Sequence, residues 1–168
     1  MSEQPLAETV QAARQGDLNA FNHLVLEYQD EVYNLAYRVL GEAGAAQEAT
    51  RAVFQEAYRQ LNGFRKGPFR LWLLRIAARV CLGQLKGWSA PYRTPPSVRT
   101  SPVENSLQAC LRLIPPELRL ALVLIDLQGL SYPEAAAVLD ASPDKLLNRL
   151  AQARQWVMKS GAPDLAAA

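Results

Sequence analysis

Histidine and cysteine are scarce in this 168-residue chain: His23 stands alone, and Cys81 and Cys110 are the two cysteines. A lone histidine leaves no ligand set for a zinc cluster and no Ser-His-Asp arrangement, so neither a metal nor a cofactor is expected. Both cysteines fall in apolar helical patterns, which predicts buried thiols rather than a disulfide and fits a reducing cytoplasm. His23 is expected on the outer face of a helix. No apolar run approaches the roughly 18 residues that cross a bilayer, so membrane insertion is not expected. The opening segment MSEQPLAETV is polar and acidic, unlike a secretory signal. No convergent set of acids, bases and nucleophiles is visible, so the chain is not expected to be an enzyme.

Acids are missing from one long stretch. Residues 59–103 hold nine Lys/Arg and no Asp/Glu. Residues 1–58 hold three Lys/Arg against nine Asp/Glu, and residues 104–168 hold six against seven. The formal net charge of +2 thus conceals a strongly basic block. Such a block in a nearly neutral chain is the footprint of a polyanionic partner.

What is present is helical periodicity, over a chain that is 49% hydrophobic. The pattern predicts an all-α fold with no alternating strand segment and no internal repeat. A first helix is expected over about residues 5–15. Asp17 caps a second, in which Phe21, Leu24, Tyr28, Val32, Leu35 and Val39 recur at three- and four-residue steps, and Gly41 ends it. A third runs from about Ala45 to Leu61. NGFRKGP reads as a loop, and a fourth helix runs from near Pro68 to about Lys86. The stretch 87–104, rich in Pro, Ser and Thr, reads as a flexible linker. Helical periodicity resumes near Ser106. PPELRLALVLIDLQG reads as one mostly buried helix, started by proline and closed by Gly129. Ser131 and Glu134 form a capping-box pair, and Ser142 caps the last helix with Pro143 at its first position. The expected organisation is two small helical domains, 1–87 and 105–160, a linker at 88–104 and a tail at 161–168.

The cations have a pattern of their own. Arg75, Arg79 and Lys86 fall within about 40° of one another on the fourth helix, and Arg65, Lys66 and Arg70 extend that stripe through the loop. Exposed cations beside aromatic rings suit the backbone and unstacked bases of melted DNA. Phe69 and Trp72 are read mainly as core. The stretch from Gly129 to Leu150 has the outline of a helix-turn-helix. In its second helix Leu146, Leu150, Ala153 and Val157 follow core spacing. Lys145, Asn148, Arg149 and Gln152 point elsewhere and carry groups that reach phosphates and base edges in a major groove. Ser142 and the helix N-terminus add backbone donors for a phosphate.

Two blocks together resemble a family. Arg38, Leu40, Gly41, Val53, Phe54, Phe64, Arg65, Phe69, Trp72, Leu73, Arg75, Ile76 and Ala77 match region 2 of bacterial RNA polymerase sigma factors of the extracytoplasmic-function (ECF) type. Pro116, Arg119, Gly129, Leu130, Ser131, Tyr132, Glu134, Ala136, Arg149, Leu150, Ala153 and Arg154 match region 4. The resemblance implies a promoter-specificity factor in the cytoplasm that binds core RNA polymerase and promoter DNA and helps initiate transcription. It also implies an anti-sigma protein as a further partner. By the same resemblance, Glu48, Arg51 and Gln55 would dock on core polymerase. Arg65, Lys66, Arg70, Arg75, Arg79 and Lys86 would meet the minus-ten region. Ser142, Lys145, Asn148, Arg149 and Gln152 would meet the minus-thirty-five region.

The chain departs from the family pattern where D-A-E-D and Q-E are usual, having Ala45, Ala46, Gln47, Glu48 and then Arg51 and Ala52, so that only Glu48 keeps its charge, and at Leu147, where lysine is common. Its FRKGPF loop is one residue shorter than the usual one. Asp140 stands where the turn often has glycine. The departures motivate an alternative expectation, a divergent sigma-fold protein acting through protein contacts only, as a regulatory partner or decoy.

Overall fold

A computed structural model describes residues 3–65, 67–87 and 102–159. Among these there are eight α-helices and no strand. They are α1 (Glu3–Arg14), α2 (Leu18–Leu40), α3 (Ala43–Gln60), α4 (Phe69–Gly87), α5 (Pro102–Leu113), α6 (Pro116–Leu122), α7 (Tyr132–Leu139) and α8 (Pro143–Lys159).

Local chemistry accounts for the boundaries. The Asp17 carboxylate accepts from the Asn19 and Ala20 N–H groups at 2.8 and 3.2 Å, which satisfies two orphan donors at the start of α2. At its far end Gly41 adopts φ +80° and donates to the Tyr37 carbonyl. α3 starts two residues earlier than the periodicity predicts. Its cap is Glu42, whose two carboxylate oxygens accept from Gly44 and Ala45 N–H at 2.8 and 2.6 Å. Glutamate is an uncommon cap, so the sequence signal was weak.

The long helix expected from PPELRLALVLIDLQG has a defect. α6 gives way to one π-helical turn over Val123–Leu127, and Gln128 N–H reaches back to the Val123 carbonyl. Periodicity cannot reveal such a turn, because Val123 and Leu124 stay buried through it. α5 also begins earlier than expected. Pro102, which was placed in the linker, opens the helix, a position where the missing N–H costs nothing. The rest of that linker, residues 88–101, and the tail from 160 lie outside the described residues.

α2 packs against α1, α3 and α4, α3 packs against α4, and α8 packs against both α6 and α7. The two halves also pack together: α4 lies against α6 and α7, and α2 lies against α5 and α6. Their buried side chains form one continuous apolar cluster. α4 is therefore enclosed on several sides, with Leu73, Leu74, Ile76, Ala77, Ala78 and Cys81 all buried. Trp72, read mainly as core, is half-buried, as is Val80. Cys81 is fully buried, whereas Cys110 is half-buried rather than enclosed; both are free thiols. His23 is exposed as expected.

Candidate nucleic-acid interface

The loop before α4 and the first turns of α4 are organised by four rings. Phe64 lies 5.7 Å from Phe69 and 5.3 Å from Trp72, and Phe69 lies 5.6 Å from Tyr28. Edge and tilted geometries of this kind anchor a loop beyond simple burial. Phe69 is core, while Phe64 and Trp72 are half-buried and keep a wet edge. Burial, aided by Glu27 and Glu31, raises the Tyr28 pKa above its ordinary value, so the ring beneath this cluster stays neutral.

The cations around these rings fall into two groups. Arg65, Arg79 and Lys86 are exposed, and Arg79 contacts the side chain of Gln60 at 3.4 Å. Arg70, half-buried, and Arg75, itself exposed, are engaged with region 4 carbonyls. Arg70 Nε donates to Glu31 at 2.7 Å and its Nη2 donates to the Gln128 carbonyl at 3.0 Å. Arg75 donates through Nε and Nη2 to the single carbonyl of Ala137, the former at 3.1 Å. The stripe of Arg75, Arg79 and Lys86 is thus not uniform: Arg75 is turned toward α7. Lys66 lies outside the described residues.

The helix-turn-helix comprises α7, a left-handed turn and α8. The Glu134 carboxylate accepts from Ser131 N–H at 2.8 Å and from its hydroxyl at 2.6 Å, and these bonds pull the Glu134 pKa below the ordinary carboxylate value. Asp140 holds φ +49°, ψ +46°, the left-handed region that aspartate tolerates better than most residues. Ser142 Oγ accepts from Lys145 N–H at 3.4 Å. Leu146, Leu150, Ala153 and Val157 are buried, while Lys145, Asn148 and Gln152 are exposed. Arg149 is half-buried and bonds Glu117 of α6 at 3.0 Å. Leu147 is 50% exposed on the same helix.

A third surface lies on α3. Glu48, Arg51 and Gln55 are exposed there. Arg51 and Gln55 rim an open groove of about 650 Å³ with an apolar floor that includes Leu18, Phe21, Val25 and Phe54. Tyr58 stands edge-on to Phe21 at 5.0 Å and remains 45% exposed. Ala45 and Ala46 are buried against the bundle, so the uncharged residues at these two positions are core side chains here.

Sequence reasoning missed the groups that join the two halves. Gln108, Arg112 and Arg119 donate to main-chain carbonyls of α2 and its cap, and Arg119 is 5% exposed. The available hint was Arg119 itself, a cation between leucines in a mostly buried helix, which must find partners when buried.

Comparison with known proteins agrees with this two-part layout. Residues 24–88 match the family description Sigma-70 region 2, and residues 104–157 match Sigma-70, region 4. The chain is 32% identical to the ECF RNA polymerase sigma-E factor of Escherichia coli K12, covering 94% of this chain and 93% of that one. The chain belongs to the ECF sigma factors.

Other relatives agree. The RNA polymerase sigma-H factor of Pseudomonas aeruginosa is 30% identical, with 96% of this chain and 94% of that one covered. ECF sigma factor SigE of Mycolicibacterium smegmatis is 31% identical, but this chain spans only 61% of its length. Among solved structures, CnrH in complex with the cytosolic domain of CnrY has a TM-score of 0.73 at 26% identity, covering 90% of this chain and 93% of CnrH. RpoE of Bartonella quintana, solved with the anti-sigma factor NepR, shares the fold at a TM-score of 0.71 and 17% identity, covering 85% of this chain and 97% of that one. In this sigma factor, α2 to α4 make up region 2, and α5 to α8 make up region 4.

Proposed function

We propose that this sigma factor directs core RNA polymerase to promoters through three surfaces. The exposed face of α3, with Glu48, Arg51 and Gln55 beside the apolar groove, docks on core polymerase. Arg65, Lys66, Arg70, Arg75, Arg79 and Lys86 hold the backbone of melted minus-ten DNA. Phe64 and Trp72 offer ring edges to an unstacked base. Ser142, Lys145, Asn148, Arg149 and Gln152 read the minus-thirty-five element in the major groove. The factor performs no bond chemistry itself; polymerase does that in the cytoplasm. CnrH and the Bartonella RpoE were each solved with a protein bound, and a regulatory protein of the anti-sigma kind is proposed here as well.

The observation that supports this reading best is the pairing of a cationic α4 with a capped, outward-facing α8 on one chain, in the order of the family. Each module alone carries few free cations, so weak binding is expected from either. Fixed on one polymerase they bind jointly through raised effective concentration.

A second reading has one specific observation in its favour. Arg70 and Arg75 each donate to a region 4 carbonyl, an arrangement that fits a sigma-fold protein acting only through protein contacts. Permanganate footprinting on a promoter library separates the two. Unpaired thymines near minus ten, dependent on both core polymerase and this chain, support initiation. Stable association with core polymerase and no unpaired thymine on any promoter supports the protein-contact reading.

A further inference from the structure

α8 meets the core through Leu146, Leu150, Ala153 and Val157. Leu147 lies outside that set and is 50% exposed, and Ala151 is exposed one turn further on. An exposed leucine means little by itself. Its place on the helix gives it meaning. At about 100° per residue, Leu147 and Ala151 lie roughly 40° apart, and Asn148 stands about 60° from Ala151. Lys145 and Gln152 fall within about 20° of each other on the opposite flank, roughly 160° and 140° from Leu147. The charged residues on the side of Leu147 are Asp144, which is exposed and acidic, and Arg154, which is bound to Asp126. The outward surface of α8 is thus divided lengthwise, with an apolar flank, a cationic and amide flank, and Asn148 between them.

From this division we infer that Leu147, with Ala151 beside it, selects thymine in the upstream promoter element by packing on its C5-methyl group. The inference rests on the minus-thirty-five role proposed above for α8 and adds a base preference to it. Phosphate gains nothing from a leucine and is repelled by Asp144, so this flank does not suit the DNA backbone. Leucine and alanine side chains have no donor or acceptor with which to read a polar base edge. In the major groove the methyl of thymine is the apolar mark that sets this base apart. The other flank supplies what the backbone needs: Lys145 offers a cation, and its own N–H is held by Ser142 Oγ at 3.4 Å, which keeps the first turn of α8 in place. Asn148, between the flanks, suits an adenine edge. Leu147 and Ala151 stand about 6 Å apart along the helix axis, close to two base-pair steps of about 3.4 Å. Two nearby thymines can therefore be read together, with Leu147 making the larger contact.

The test uses the full chain assembled with core RNA polymerase. The holoenzyme first selects promoters from a library randomised over the upstream element. Each thymine of a selected element is then replaced singly by deoxyuridine, which deletes the methyl and keeps the base pair. Competition binding compares wild type with Leu147→Ala; alanine suits an exposed helix position, and circular dichroism checks that helix content is kept. The expected result is a position where uracil weakens wild-type binding about fourfold, the value of one buried methyl, and leaves Leu147→Ala unaffected. Selected elements without thymine would overturn the inference while leaving the role of α8 standing. So would uracil that is tolerated at every position, or that weakens both proteins equally wherever it acts. A Leu147→Ala chain that assembles poorly with core polymerase, with no methyl effect in the wild type, would assign Leu147 to a protein contact and overturn the inference as well. If the library yields no upstream preference at all, the minus-thirty-five role fails and the inference fails with it.

Discussion

Arg154 of α8 grips Asp126 in the π turn after α6, with Nη2 2.8 Å from Oδ1 and Nε 3.4 Å from Oδ2. The carboxylate is only 5% exposed, so the guanidinium supplies charge compensation that water cannot. The same bond raises the Arg154 pKa above its ordinary value. This contact ties α8 to the π turn after α6.

Arg154→Ala is therefore expected to destabilise the protein by about 1.5–3 kcal/mol, the range for a hydrogen bond to a charged group. Asp126→Ala should cost a similar amount, and the double variant much less than the sum. A double-mutant cycle by urea denaturation measures the coupling. Additive losses would show that the pair does not act as a unit.

Acid should loosen the helix-turn-helix at its cap. The Glu134 pKa is lowered by the Ser131 hydroxyl and N–H, so its stabilising contribution is complete above the ordinary carboxylate range. It fades as pH falls through the depressed folded value. Amide exchange at the start of α7, relative to α2, should accelerate in that window. Glu134→Gln should remove the pH dependence; an identical acid response in this variant would assign the effect to another group.

Cys81 offers a built-in unfolding probe. Burial pushes its thiol up to about 12, and its side chain has no solvent exposure. At neutral pH a thiol-alkylating reagent should modify half-buried Cys110 first and reach Cys81 only as the bundle opens. Alkylation of Cys81 should track the denaturant midpoint seen by circular dichroism. Rapid labelling of Cys81 in the native protein would contradict the tight packing of α4.

Much of this fold could be read from residue order, because its signals are local. Asp17, Gly41, Ser131 and Ser142 announce helix ends through their own backbone and side-chain chemistry, and the buried faces of α2 and α8 follow a 3.6-residue period. The aromatic and cationic residues of α4 were legible as types. Their present partners were not. Arg75 meets Ala137 and Arg112 meets Gly41 across spans of 62 and 71 residues, through main-chain carbonyls that every residue possesses. Composition carries no mark of such contacts. The π turn was hidden for a related reason: it shifts one hydrogen-bond register and leaves the apolar pattern intact.

Because Arg75 has a structural partner, its removal alone does not isolate DNA contacts. Arg79 and Lys86 are exposed and the Arg79 contact with Gln60 is long, at 3.4 Å, so Arg79→Ala with Lys86→Ala is the cleaner pair. Alanine is the best helix former, and stability should change by no more than about 0.5 kcal/mol. Two lost phosphate contacts should flatten the log–log salt dependence of promoter-complex formation by roughly 1.4 to 1.8. An unchanged slope would remove these two residues from the DNA surface.

Run-off transcription with core RNA polymerase tests the central claim most directly. The wild-type chain should direct discrete transcripts from a subset of a promoter library. Lys145→Ala with Arg149→Ala should reduce those transcripts while leaving co-purification with core polymerase intact. The opposite result would be a wild-type protein that co-purifies with core polymerase and yields no transcript from any promoter, and it would contradict promoter-directed initiation by this chain.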